Sequence, residues 1–234
     1  MGYYPYYFDP TYVLVLIGVV ISLLASARVK TTYAKYSAVR SMSGVTGAQA
    51  AEKLLRASGI IDVRIEEVSG HLTDHYDPRS KVLRLSNQVY HSNSLAAIGV
   101  AAHECGHAIQ HQNSYLPLKI RGILVPVASF GSMAAWPLIL IGLFFGGFQS
   151  LIDLGILLFS AAVIFQLITL PVEFNASRRA IARLGETGIL YHEELDKSKK
   201  VLDAAALTYV AAAAATILQL LRLILLFGGG RRRD

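Results

Sequence analysis

The amino-acid sequence predicts a mainly α-helical membrane protein, with three or four transmembrane helices and one small polar domain of α+β structure. Three observations support this fold class. Of the 234 residues, 53% are hydrophobic and only 16% are charged, whereas soluble domains carry about 25% charged residues. Four apolar segments have lengths close to that needed to cross a bilayer. Between the first two of them lies a long polar stretch that contains both helical and strand-like patterns.

The apolar segments define the predicted spans. Residues 11–27 contain no charge and form the first span, and residues 123–145 and 151–172 form a helical hairpin. The fourth segment, residues 202–227, contains Arg222. It crosses the membrane, packs on the polar domain, or lies at the interface with its arginine reaching the headgroups.

Positive charge orients these spans. Lysine and arginine are absent from residues 1–10 and from the hairpin connection, but twelve lie within residues 28–121 and six within residues 178–200. By the positive-inside rule, both polar segments are cytoplasmic and the N-terminus is outside. The aromatic residues 3–8 then anchor the chain at the outer interface. The sequence therefore predicts a multi-pass protein of the cell membrane.

The predicted organisation has five parts. The basic residues lie next to the ends of the spans, and this placement accounts for the formal charge of +6 without nucleic acid as a partner. The single cysteine excludes an intrachain disulfide. The parts are a signal-anchor helix at 1–27, a cytoplasmic domain at 28–121, the hairpin at 122–172, a cytoplasmic helix at 173–201 and a C-terminal apolar helix, transmembrane or membrane-associated, at 202–234.

Turn and capping signals divide the cytoplasmic domain into elements. Thr46 and Gln49 form a capping box for a helix that ends before Gly59. Residues 63–68 and 81–85 alternate as strands, and the stretch between them can also be extended, which predicts a short antiparallel sheet. Serines 92 and 94 offer N-caps for a helix that runs through His111.

That helix carries the sequence His103-Glu104-Cys105-Gly106-His107, an H-E-x-x-H pattern. Histidines at positions i and i+4 lie on one helix face, where they can bind one Zn²⁺, and the glutamate can take a proton from a zinc-bound water. Cys105 is interpreted as a small packed residue. A helix with histidines at a polar boundary is the alternative.

The third ligand is predicted at Glu173, which directly follows the third apolar segment. The hairpin returns it to the membrane face from which the motif helix departs, and a carboxylate there is costly unless it is paired or metal-bound. His111 is a poor ligand, since it lies about 12 Å along the helix axis from His103. The alternative is a Glu173 paired with Arg178 or Arg179.

The motif together with Glu173-Phe174-Asn175-Ala176-Ser177-Arg178-Arg179-Ala180 resembles the gluzincin arrangement of HtpX-like and Ste24-like membrane metallopeptidases. Nearly the whole chain also resembles the YugP-like family of neutral zinc metallopeptidases. This resemblance implies a zincin-like domain in which His103, His107 and Glu173 bind the zinc ion and Glu104 is the catalytic base.

Two further expectations come from the same resemblance. An upstream edge strand near residues 81–85 is expected to pair with an extended substrate. Ser177 stands where the HtpX-like pattern has an aspartate that orients a ligand histidine, so that role passes to a neutral hydroxyl.

The predicted function is a membrane-embedded zinc metalloendopeptidase that hydrolyses membrane or hydrophobic proteins at the cytoplasmic face. Its partners are a protein or peptide substrate and the lipid bilayer. Tyr191, His192 and Tyr209 are candidates for a second donor to the oxyanion. The alternative function is a non-catalytic scaffold or adaptor stabilised by zinc, which would need no base at Glu104.

Overall fold

The computed structural model describes residues 9–70, 73–145 and 147–228, and in this part the chain is mainly helical. The predicted aromatic anchor at 3–8 and the arginines at 231–233 lie outside these residues. The elements are α1 (Tyr12–Ser37), α2 (Gly47–Ala57), β1 (Arg64–Val68), β2 (His75–Asp77), β3 (Val82–Ser86), α3 (Asn87–Tyr90), α4 (Leu95–Gln112), α5 (Leu116–Phe144), α6 (Gln149–Glu186) and α7 (His192–Phe227).

Four of these helices, α1, α5, α6 and α7, are long and apolar enough to cross a membrane. The prediction of three or four spans is therefore confirmed at the level of length and composition. Each helix is longer than its apolar segment. Helix α1 continues to Ser37, beyond the predicted boundary at 27. Helices α6 and α7 run through the predicted boundaries at 172 and 201 and are separated by a turn at 187–191.

The chain divides into two compact units. The first, here called the bundle unit, comprises residues 1–24, 123–167 and 210–234, and the second, the site unit, comprises residues 25–122 and 168–209.

Small residues bring the helices of the bundle unit together. A Cβ added to Gly18 of α1 would lie 3.2 Å from Ala215 of α7, and one added to Gly131 of α5 would lie 2.7 Å from the Leu158 carbonyl oxygen of α6. Such close approach is typical of helices that pack in lipid, where dispersion rather than water exclusion holds them together. The shared core contains Ala135, Ile139, Phe159 and Leu223.

An ion pair also joins the ends of α1 and α7 within the bundle unit. The Arg222 guanidinium lies 3.1 Å from the Asp9 carboxylate and 4.1 Å from the centre of the Tyr12 ring. Together with the Gly18 contact, this pair shows that α1 and α7 are antiparallel. Arg222 has a fixed partner here and does not reach out alone to the headgroups.

The site unit is built around α4, which packs on α2 and on one face of a three-stranded sheet. The capping box of α2 is confirmed, since the Thr46 hydroxyl oxygen accepts a hydrogen bond from the Gln49 backbone N–H and the Gln49 side-chain oxygen accepts one from the Thr46 backbone N–H. Ser94 caps α4 as predicted. The buried core of this unit includes Leu54, Leu83, Leu85, Leu95, Ile98, Leu184 and Leu190.

The sheet differs from its prediction in topology. Its order is β1-β3-β2, with β3 parallel to β1 and antiparallel to β2, so the expected purely antiparallel sheet is wrong. Strand β3 carries the most buried side chains and takes the central position, where both of its edges are paired. The expectation of a free edge near 81–85 is therefore also wrong, and the edge strands are β1 and β2.

Candidate metal centre

Two histidines of α4 and one glutamate of α6 meet in the site unit. Nε2 of His103 and Nε2 of His107 lie 3.2 Å and 3.6 Å from the same carboxylate oxygen of Glu173. The donor atoms all lie within 4.8 Å of one another. Zinc bonds of about 2.0–2.1 Å in a tetrahedron place ligand atoms roughly 3.3 Å apart. The three residues therefore fit one zinc ion, with a fourth position left for a small ligand.

Gly106, inside the motif, allows this meeting. A Cβ at this position would lie 2.4 Å from the carbonyl oxygen of Ala176, so any larger residue would push α6 away from α4. Ala176 is itself fully buried. Because Glu173 precedes it by one helical turn, the close approach of the two backbones at Gly106 sets the distance between Glu173 and the histidines.

The second nitrogen of each histidine has its own partner. His107 Nδ1 lies 3.0 Å from Oε1 of Gln110, and Gln110 in turn donates to the Val172 carbonyl and to Asn175. These two donations orient the Gln110 amide so that its oxygen accepts the Nδ1 proton. His103 Nδ1 lies 3.0 Å from the Ser177 hydroxyl. Each neutral ring then presents the lone pair of Nε2 to the metal position.

The remaining oxygen of Glu173 is held by a cation. Arg121, near the start of α5, lies 3.1 Å from Oε1 of Glu173, whose side chain is only 3% exposed. The Tyr209 side chain also lies beside the Glu173 carboxylate. Arg179 instead donates to Asn175, so the alternative pairing of Glu173 with that arginine is not what the structure contains.

Glu104 differs from every other polar group of the centre. It is 8% exposed, yet it makes no hydrogen bond or ion pair with any residue that the structure describes. It still lies close enough to His107 for its charge to act on that ring. A carboxylate that no protein group binds is free to accept a proton from water, which is what a general base requires.

The charges of this cluster change how His107 binds protons. Burial alone lowers the pKa of His107, but the hydrogen bond that Glu173 accepts and the charges of Glu104 and Glu173 outweigh burial, and the net pKa is raised above its ordinary value. Protons and a metal ion compete for the same nitrogen, so metal binding weakens as the pH falls.

The other candidates from the sequence lie elsewhere. Nδ1 of His111 lies 2.9 Å from the Tyr76 hydroxyl, and this hydrogen bond joins the end of α4 to β2. His111 is therefore not a ligand of this centre. Cys105 is packed against α2, and burial raises the pKa of its thiol, as expected for an inert residue. Tyr191 is exposed in the turn before α7. Of the three oxyanion candidates, Tyr209 is the one that contacts Glu173.

Sequence reasoning missed Gln110, Arg121 and Gly106. Gln110 has a local signal, since it lies three residues after His107 and therefore on the same helix face. Arg121 has none, because its distance to Glu173 depends on how α5 packs against α6.

Comparisons with known proteins identify the family of this chain. A family model described as "Putative neutral zinc metallopeptidase" matches residues 11–228, and the chain belongs to this family. The chain is also 52% identical, over 191 residues, to a Bacillus subtilis (strain 168) protein named "Putative membrane protease YugP". That alignment covers 82% of this chain and 84% of the relative. No solved structure matches the chain.

Proposed function

We propose that this chain is a membrane-embedded zinc metalloendopeptidase that cleaves membrane or hydrophobic proteins at the cytoplasmic face. The observation that carries the proposal is Glu104, a carboxylate that no described residue binds, beside three residues that fit a zinc ion. The family description and the name of the relative support zinc, proteolysis and the membrane as its setting.

The proposed orientation places the N-terminus outside and the polar segments in the cytoplasm. The distribution of lysine and arginine supports it. The pair between Asp9 and Arg222 supports a fourth span, since it brings the start of α1 and the end of α7 to the same side. Both ends of the described chain are then outside. We keep the five domains of the sequence prediction and propose that α7 crosses the membrane completely.

Bound zinc would supply a Lewis acid that polarises the scissile carbonyl and lowers the pKa of a water molecule. The residues of the chain perform the remaining steps. His103, His107 and Glu173 hold the ion, and Ser177 and Gln110 keep both imidazoles in the tautomer that binds it. Glu104 takes the proton of the attacking water and then delivers it to the leaving amine.

Two further groups surround the reaction. The Tyr209 hydroxyl is positioned beside Glu173 and is our candidate for the second donor to the developing oxyanion. An extended substrate needs a free strand edge, and β2 is the edge strand tied to the motif helix through Tyr76 and His111. We therefore assign substrate pairing to β2 in place of the strand that the sequence suggested.

The alternative function, a scaffold stabilised by zinc, predicts that Glu104 is dispensable. A purified full-length chain is compared with Glu104→Gln for cleavage of an unfolded protein, with zinc content measured for both. We expect equal zinc content and a loss of rate of about 10²–10⁴-fold, the usual contribution of a general base. Glu52→Gln, at an exposed glutamate of α2, is the matched control and keeps the full rate.

Two outcomes contradict the proposal. The first is equal cleavage by the wild type and by Glu104→Gln, and the second is no cleavage of any unfolded protein by a zinc-loaded wild type.

A further inference from the structure

A second polar recess of the site unit lies on α1, α6 and α7. It is a groove of about 530 Å³, a volume within the range of small-molecule sites. Its lining residues are Arg28, Thr31, Thr32, Lys35, Tyr36, Phe174, Lys200, Asp203, Ala204 and Leu207. The donors of the metal centre are not among them.

Helical periodicity builds this groove from two faces. Arg28, Thr31, Thr32 and Lys35 occupy positions i, i+3, i+4 and i+7 of α1, and Lys200, Asp203, Ala204 and Leu207 repeat the same spacing on α7. Residues so spaced share one side of a helix. The groove is therefore formed by one face of α1 and one face of α7, and Phe174 of α6 also lines it.

The charge of the groove is positive and largely uncompensated. Arg28, Lys35 and Lys200 form no ion pair with any described residue, although Lys35 lies 5.5 Å from the centre of the Tyr36 ring. The one carboxylate, Asp203, already pairs with Lys199 at 3.1 Å. Three free cations in one groove indicate an anionic ligand, and phosphate is an anion that both lysine and arginine bind.

The groove also has an apolar part. Phe174 and Leu207 are 40% and 41% exposed, so both offer apolar surface beside the three cations. Arg28 is the first charge after the apolar segment 11–27, and Phe174 follows the apolar segment 151–172 by two residues. Cations and apolar groups at the end of membrane spans match the two parts of a phospholipid, its phosphate and its acyl chains.

We propose that this groove binds the phosphate of an anionic phospholipid from the inner leaflet, held by Arg28, Lys35 and Lys200, with its acyl chains on Phe174 and Leu207. The Thr32 hydroxyl, which has no partner among the described residues, is available as an additional donor. The proposal rests on the membrane spans and on their proposed orientation, and it does not depend on catalysis.

The test measures lipid binding to the purified full-length chain in detergent by native mass spectrometry, with phosphatidylglycerol and phosphatidylcholine as probes. We expect a preference for phosphatidylglycerol. The triple variant Arg28→Gln/Lys35→Gln/Lys200→Gln loses affinity for it by about fivefold for each cation removed, or roughly a hundredfold in total. Asp203→Asn binds it more tightly than the wild type.

A control triple removes the same charge elsewhere. Lys30→Gln/Lys53→Gln/Arg178→Gln changes three exposed cations outside the groove and retains the preference. Equal binding of both lipids by the wild type overturns the proposal, as does equal loss in the two triple variants, which would indicate general surface charge. Displacement of phosphatidylglycerol by inorganic phosphate at equal concentration overturns the lipid as the ligand. Unchanged zinc content in both triples shows that the fold is intact.

Discussion

Two clusters of charged side chains lie on the long apolar helices of this chain, and they differ in whether every charge has a partner. In the bundle unit, Asp9 and Arg222 neutralise each other, and Thr11 and Tyr12 complete the cluster. In the site unit, Glu173 is equally well held, but the neighbouring Glu104 has no hydrogen-bond partner among the described residues. The closed cluster is what stability requires, and the open one is what proton transfer requires.

Replacement of Glu173 by glutamine has the largest expected effect on this comparison. The variant keeps the size of the side chain but loses the negative charge that binds a metal ion, so we expect zinc affinity to fall by more than the 10–100-fold that supporting residues cost. Zinc content after dialysis against a chelator measures this. Glu186→Gln, on the same helix, changes an exposed glutamate paired with Arg183 and retains zinc. A Glu173→Gln protein with wild-type zinc affinity would remove Glu173 from the centre.

Arg121 is expected to have the next largest effect. It holds the oxygen of Glu173 that does not face the histidines, so Arg121→Gln lets the carboxylate turn and reduces zinc affinity by about 10–100-fold. Arg121→Lys keeps the positive charge but loses the planar guanidinium group, so its zinc affinity should lie between those of the wild type and of Arg121→Gln. A competition titration with a fluorescent zinc chelator gives the affinities. Arg183→Gln is the control, and identical affinities for all four proteins would show that Arg121 does not position Glu173.

The closed cluster is expected to affect stability alone. The side chains of Arg222 and Asp9 are 13% and 26% exposed, so the pair is partly shielded from water and its loss lowers the unfolding temperature. Thermal unfolding of Arg222→Gln, Asp9→Asn and the double variant forms a cycle in which the double variant loses less than the sum. Zinc affinity stays unchanged. Loss of zinc in these variants would break the distinction between the two clusters.

The smallest effect is expected at Asp77, another carboxylate whose partners are present in the structure. The Ser80 hydroxyl and the Arg79 backbone N–H hold the pKa of Asp77 at about 2, below its ordinary value of 3.8. A lowered pKa contributes stability above the unfolded-state value, and this contribution is lost as the pH falls from about 4 to about 2. The difference in unfolding temperature between the wild type and Asp77→Asn should therefore shrink over this range. A difference independent of pH would exclude the charge of Asp77 as its cause.

The local features of the fold could be predicted from the sequence because they depend on neighbouring residues. The capping box at Thr46 and the cap at Ser94 require only the spacing of side chains along one helix. The sheet topology could not be predicted in this way. The alternation of residues 63–68 and 81–85 predicts strands but does not say which strand is central, and burial of β3 decides that.

In the candidate site, too, the local features could be predicted from the sequence and the contacts between distant residues could not. The sequence alone determined the pair His103 and His107 with Glu104 beside them, since a helical spacing of four residues places them on one face. It also determined the apolar segments, because their length and composition suffice. Only the tertiary structure decided that Arg121 holds Glu173, that Gly106 admits α6, and that Arg222 meets Asp9. These contacts join residues far apart in the chain, and they depend on packing between helices that no local pattern contains.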